Sequence, residues 1–438
     1  MYPHFTIVIP TRNRLDTLKW TIQTCLTQKY ERMSIVVGDN CCDDGTSEYL
    51  DQIVNSRIIK ARSNIPLSMC ENWNRIISPL INDDTYIFFL GDDDGILPGS
   101  LEIAASLIEK LKCKVLSWNK VEYAWPNVVT PEYRNHMRIP LRSTFRKVLT
   151  NEFLSKAHRF EISYSEGPSI YSSFVHSSVL KNLMEIDGQK VFRSCSPDVY
   201  SSYAIASLIP NFFKCDFALS INGASHHSNG VSYVFRPSSE ITKLFKSENI
   251  IHPTLVHSPS VATAEADSLL CARDTLPRLR QTFNFDWMSY LNRLKNDAIS
   301  AYSLETQGMI VEAIYSTARL QRINYSLKIK SIFNDRFLSG PVYGLDLISK
   351  TITLNVSSLD IKDVFHASKF VDAVFSLKYL INKISLLQEE YLEKNMQEVR
   401  FPKSYINKII KLYYSISFLQ NVKKVYYNIM KIRNNNEN

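Results

Sequence analysis

Over the first 120 residues the hydrophobic and polar positions switch repeatedly between two periods, and that switching predicts a layered α/β fold. Phe5–Ile9, Ser34–Val37, Arg57–Lys60, Thr85–Leu90 and Lys114–Trp118 read as strands. Apolar positions at three- and four-residue steps, such as Leu15, Leu18, Ile22 and Cys25 or Leu26, predict helices over Leu15–Leu26, Thr46–Val54, Pro66–Ile77 and Gly99–Lys112. Strands alternating with helices imply a parallel sheet with right-handed crossovers, and such sheets gather ligands beyond the carboxyl ends of their strands. The fourth strand runs straight into Gly91-Asp92-Asp93-Asp94-Gly95. Three adjacent carboxylates repel one another and resist desolvation, so this tip calls for a cation or several hydrogen-bond donors. The plainer reading is an acidic turn in solvent.

Beyond residue 120 the pattern loosens into aromatic, Ser-rich stretches. A strand is expected over Ser169–His176, a helix over Pro197–Leu208 opened by Ser196-Pro197-Asp198, and a strand over Phe212–Ile221 before a polar turn through Asn222–Gly230. Pro237, Pro253 and Pro259 mark a boundary, after which the pattern is mainly helical, with Ile352–Val356 as a candidate strand. The expected division is a catalytic domain over 1–255 (a nucleotide-binding half, 1–120, and an acceptor half, 121–255), a helical domain over 256–400 and an amphipathic helix over 401–438.

Composition adds three constraints. The chain has 438 residues, 45% of them hydrophobic, enough for a sizeable core. It contains no run of roughly 18 apolar residues, and Met1-Tyr2-Pro3-His4 leads directly into a strand, so neither a membrane span nor a signal peptide is expected. Eight scattered cysteines without a C-x-x-C pair suit reduced thiols in the cytoplasm. Most of the net charge of +8 belongs to the tail, where seven cations between Lys403 and Arg433 face only Glu437. With Phe401, Tyr405, Ile409, Leu412, Ile416, Leu419 and Tyr426 on one stripe, 401–433 reads either as an in-plane helix on an anionic membrane surface or as a helix packed on its neighbours. No nucleic-acid motif accompanies these cations.

Pro10-Thr11-Arg12-Asn13-Arg14, then Gly38-Asp39-Asn40 with Asp43-Asp44-Gly45-Thr46, then Asp92-Asp93-Asp94 follow one another at successive strand ends. In this order they resemble the family 2 glycosyltransferases, closely over 120 residues and in part to about residue 235. The resemblance implies a GT-A type, Rossmann-like, mostly parallel sheet flanked by helices. It also implies inverting transfer from a nucleotide-diphosphate sugar, UDP-sugar favoured, with Mg²⁺ or Mn²⁺, to a saccharide or lipid-linked saccharide. The expected setting is bacterial surface polysaccharide synthesis, in the cytoplasm or on the inner face of the plasma membrane.

The same resemblance assigns Pro10, Thr11, Arg14, Asp39 and Asn72 to the nucleotide pocket, the Asp39 carboxylate accepting from a base imino group. Asp92 and Asp94 take ribose contact and metal ligation, and Asp93 can exchange with either. Asp198, at a helix start whose backbone donors would hold it ionised, is the candidate general base, with Glu166 and Asp187 as weaker substitutes. His226 and His227 are candidates for completing the metal shell or meeting the pyrophosphate; the alternative is a pair of surface histidines. Trp118, Tyr123 and Trp125 offer a stacking wall for a sugar, or core. Cys41-Cys42 departs from the small polar residues usual there. Two rival classes are a nucleotidyltransferase, which lacks its Gly-rich phosphate loop here, and a non-catalytic membrane-surface scaffold.

Overall fold

The computed structural model describes residues 2–326, 341–346 and 348–376. It opens with β1 (Phe5–Thr11), α1 (Leu15–Leu26), β2 (Met33–Asp39), α2 (Thr46–Gln52), β3 (Ile58–Lys60), α3 (Met69–Ile77) and β4 (Tyr86–Phe89). β1 pairs in parallel with β2 and β4, and β2 with β3. The period of two in these strands sorts their side chains: Val8, Val36, Ile87 and Phe89 enter the core on one face, and Ile7, Ile9, Ile35, Val37 and Phe88 the core on the other. α3 starts three residues later than its stripe suggests, because Ser68 and Glu71 form a capping box that fixes the first turn.

Next come β5 (Gly95–Ile96), α4 (Ser100–Leu111), β6 (Val115–Ala124), β7 (His136–Pro140), β8 (Phe145–Leu149), α5 (Thr150–His158), β9 (Ser173–His176), α6 (Ser177–Asp187), α7 (Pro197–Leu208) and β10 (Asn211–Ala224). β9 enters antiparallel between β4 and β6, so the sheet is mixed, with its parallel part confined to β1–β4 and the β6–β10 pair. β6 runs past the expected Trp118 because β10 pairs with it as far as Ala124. That long pairing carries residues 222–225 back to the acid tip.

The remaining elements are α8 (Asn229–Phe235), α9 (Glu240–Glu248), α10 (Val261–Thr275), α11 (Pro277–Thr282), α12 (Trp287–Ile299), α13 (Leu304–Leu320), β11 (Gly344–Asp346) and β12 (Thr351–Asn355). One apolar cluster joins Val8 and Phe89 of the sheet through Tyr200 to Leu269, Leu291 and Ile314, so the later helices share a core with the strands on both sides of residue 255. β12 extends the sheet by pairing with β7, and the helical residues 364–376 bring Val364, Phe370 and Val371 against Val121, Met137 and Ile352. All eight cysteines are free thiols. Among the described residues no helix is long and apolar enough to cross a membrane. The tail helix expected over 401–433, and the end of the helical region from 377 onward, lie outside the described residues.

Candidate functional site

β4 delivers the acid tip into the protein rather than into solvent: Asp92, Asp93 and Asp94 are all buried. Each carboxylate finds donors on a different segment. Asp92 accepts from the Thr11 hydroxyl at 2.8 Å and from Arg14 at 3.0 Å, both just beyond β1 or at its end. Asp93 accepts from the backbone N–H and hydroxyl of Ser225, at 3.1 and 2.7 Å. Asp94 accepts from the N–H groups of Gly91 and Gly223, at 3.1 and 2.6 Å. Both glycines are needed for close approach, since a Cβ at 223 would lie 1.8 Å from the Asp93 carbonyl oxygen and one at 91 would lie 2.8 Å from an Asp94 oxygen. Burial and the neighbouring carboxylate push Asp93 up, and the same two causes push Asp94 up to about 7. Burial alone would weaken the charge on Arg14, but Asp92 and Asp93 more than restore it.

The tip forms one wall of a cavity of about 370 Å³, whose lining includes Arg14, Lys120, Tyr171 and Asp198. Asp198 stands in the first turn of α7, as its Ser-Pro-Asp start predicts. Its backbone carbonyl accepts from the Ser169 and Ser201 hydroxyls, which anchors the turn. Its carboxylate receives backbone N–H groups at the helix start, and burial raises its pKa while the charge of Lys120 opposes the rise. Lys120 donates to the Asn222 side chain at 2.7 Å, and its Nζ lies 5.5 Å from the centre of the Tyr171 ring. The weaker base candidates are engaged elsewhere: Glu166 with Arg146 and the buried Lys214, Asp187 with Arg193.

A smaller recess of about 120 Å³ adjoins Asp92 and includes Pro10, Thr11, Asn40, Asn72 and Trp73 in its walls. Asn72 is held there by a bond from Arg75 at 2.8 Å, and the Trp73 ring lies parallel to that of Tyr171 with centres 5.4 Å apart. Asp39 stands apart from this wall. Its oxygens accept from the Cys42 N–H and the Ser47 hydroxyl, closing the turn into α2, and its neighbour Asn40 faces the recess instead. α8 and α9 cover the recess through bonds from Arg14 to Asn229 and from Arg12 to Glu248, each at 2.9 Å.

Residues 6–164 match the family model described as glycosyl transferase family 2. That stretch, a little over a third of the chain, is similar to the family 2 glycosyltransferases. The chain is 30% identical, over 89 residues, to the UDP-Glc:alpha-D-GlcNAc-diphosphoundecaprenol beta-1,3-glucosyltransferase WfaP of Escherichia coli. That match takes in 20% of this chain and spans about a third (35%) of the length of the curated relative. Among solved structures, S. aureus TarS 1-349 in complex with UDP-GlcNAc aligns over 74% of this chain and 94% of its own, with 14% identity and a TM-score of 0.40. A second structure, of S. aureus TarS, covers 78% of this chain and 57% of its own, with 15% identity and a TM-score of 0.42.

Family 2 glycosyltransferases generally use a divalent cation. In this chain the histidines that sequence reasoning paired with Asp92 and Asp94 come together with Asp16 of α1: His227 lies 3.6 Å and His226 4.0 Å from its carboxylate. These three donors lie within 4.8 Å of one another, and one carboxylate with two imidazoles is a donor set that fits Mn²⁺. Burial and the adjacent His226 keep His227 below the usual imidazole range, which leaves it the neutral form a metal needs. Asp94, by contrast, has both oxygens taken by backbone donors. The stacking wall is corrected as well: Trp118, Tyr123 and Trp125 are buried, their polar atoms donating to Ser220, the Ile361 carbonyl and the Asp93 carbonyl. Trp125 thus holds the tip's backbone from behind. Sequence reasoning missed Lys120, Tyr171, Asn229 and Asp16, which reach the site by non-local strand pairing or from helix faces without a motif.

Proposed function

We propose that this chain is an inverting glycosyltransferase that moves a sugar from a nucleotide-diphosphate sugar, a UDP-sugar by preference, to an acceptor hydroxyl. The observation that carries the reading is one cavity holding both a clamped set of carboxylates beside Arg14 and a separate carboxylate, Asp198, ready to take a proton. The nucleoside enters the recess beside Pro10, Thr11 and Asn72, and Asp92, oriented by Thr11, accepts from the ribose. Arg14 and Lys120 supply positive charge on either side of the tip for the diphosphate. Asp198 removes the acceptor proton as the oxygen attacks the anomeric carbon from the face opposite the leaving diphosphate, which inverts that centre. Asp16, His226 and His227 would hold a Mg²⁺ or Mn²⁺ ion. When bound, such an ion neutralises charge that develops on the leaving diphosphate.

By likeness to the curated relative, the acceptor is a saccharide or lipid-linked saccharide, the product a bacterial surface polysaccharide, and the site of action the cytoplasmic face of the membrane. Incubating the full chain with a panel of nucleotide sugars and scoring metal-dependent nucleotide release tests the core of this. Release from a UDP-sugar, abolished by chelator, is expected; absence of both release and UDP binding would overturn the reading. Sedimentation with anionic vesicles, with and without residues 401–438, tests the membrane arm.

A further inference from the structure

A second cavity of about 600 Å³ shares Lys120, Tyr164 and Asn222 with the first, and the acid tip does not line it. Arg138, Arg142 and Arg146 line it, four residues apart on β7, β8 and the link between them. Three carboxylates, Glu122, Glu166 and Asp216, line the cavity with them. Arg138 takes Glu122 at 3.1 Å, and Arg146 takes Glu166 at 2.9 Å and Asp216 at 3.6 Å. Glu166 is claimed a second time by Lys214, which is 1% exposed and 3.1 Å away. Arg142 donates to the backbone carbonyls of Ile348 and Ser349, and among the described residues neither it nor Lys120 has a carboxylate within 4.0 Å. The lining thus carries four cations and three carboxylates, and it shares Lys120, Tyr164 and Asn222 with Asp198's cavity.

We infer that this arginine-lined cavity binds a phosphate group carried by the acceptor, one sugar ring away from the hydroxyl presented to Asp198. Guanidinium groups form paired bonds to phosphate oxygens, and those of Arg138 and Arg142 are the ones least committed to buried partners. The donor's diphosphate belongs on the Arg14 side of Lys120, so the two anions occupy opposite ends of one groove. The inference rests on the transferase reading in naming the bound phosphate an acceptor's. The cavity and its charge do not depend on it.

Calorimetry on the full chain, with UDP present to fill the donor cavity, tests this with three probes: octyl-diphosphate-linked N-acetylglucosamine, a glycerol-phosphate trimer and the neutral octyl N-acetylglucosaminide. At least one phosphate probe is expected to bind about tenfold tighter than the neutral glycoside, and Arg142→Gln and Arg138→Gln are each expected to remove about tenfold of that affinity. Whichever phosphate probe binds more tightly identifies the source, a lipid diphosphate or a polymer phosphodiester. UDP affinity, measured separately, stays unchanged in both variants and reports that they are folded. Equal affinity for charged and neutral probes, no binding of either phosphate probe, or phosphate affinity unaltered in both variants would overturn the inference. Failure of the unaltered chain to bind UDP would overturn the transferase reading while leaving the anion site standing.

Discussion

Two groups of carboxylates open on the same cavity and are wired in opposite ways. Those of Asp92, Asp93 and Asp94 are each fixed by donors from β1, α1's approach or the end of β10, whereas Asp198 is met by backbone N–H groups of its own helix start and by the charge of Lys120. Carboxylates tied to several distant segments are fixed to hold and orient; one tied only within its own helix start is placed to meet a substrate's proton. The difference predicts different kinetic signatures for the same substitution. Asp198→Asn should lower kcat by about 10²- to 10⁴-fold, the usual worth of a general base, with UDP affinity unchanged, as read by steady-state kinetics beside calorimetry. Asp92→Asn should instead raise the UDP dissociation constant about tenfold, because it breaks the pair that presents Arg14. A kcat loss in Asp92→Asn equal to that of Asp198→Asn, with donor binding intact, would erase the distinction.

The same contrast marks what the sequence makes legible. The tip is readable because an apolar run stops abruptly at three carboxylates, and α7 because Ser196-Pro197-Asp198 is a helix start; the observed α1 and α7 have the expected bounds. Both signals are local. The partners are not: Ser225 and Gly223 reach the tip only because β10 lies along β6 as far as Ala124, and Tyr171 only because the segment before β9 folds back beside β4. Asp39 has a local role beside the one its motif position suggests: its two oxygens accept from the Cys42 N–H and the Ser47 hydroxyl, which closes the turn into α2. Trp118 and Tyr123 fail as a sugar platform because a strand paired on both sides buries its aromatic residues, and Trp125, just past its end, is buried with its indole N–H donating to the Asp93 carbonyl.

Lys120 sharpens the comparison because its charge lowers the pKa of Asp94 and Asp198 alike, opposing the rise that burial causes in each. As the proposed base, Asp198 must be ionised to act, so activity is expected to fall as pH drops through its raised pKa. Lys120→Met removes the opposing charge and lifts that pKa further. The acid limb of the kcat/KM profile is expected to move to higher pH, so the variant's deficit grows as pH falls into that limb. A deficit independent of pH would mean that Lys120 acts on the substrate alone.

Asp94 gives the smallest effect, and one visible without any substrate. Its pKa is pushed from 3.8 to about 7 by burial and by Asp93, so the native state binds this proton more tightly than the unfolded chain does. The stability that this confers is complete below the unfolded value and is lost as pH rises through about 7. Asparagine carries no such proton, although it presents an amide where Asp94 offers two acceptors, so Asp94→Asn is expected to be less stable at pH 6. The gap should then move in the variant's favour by about 1 kcal/mol between pH 6 and pH 8, read by urea unfolding in chelator. Taking the difference between the two proteins at each pH cancels the titration of the histidines, which is common to both. A gap that stays constant over that range would mean that Asp94 is already ionised at pH 6, held so by the Gly91 and Gly223 N–H groups and by Lys120. The tip would then carry its full charge in the folded protein, and its carboxylates would differ from Asp198 only in who holds them.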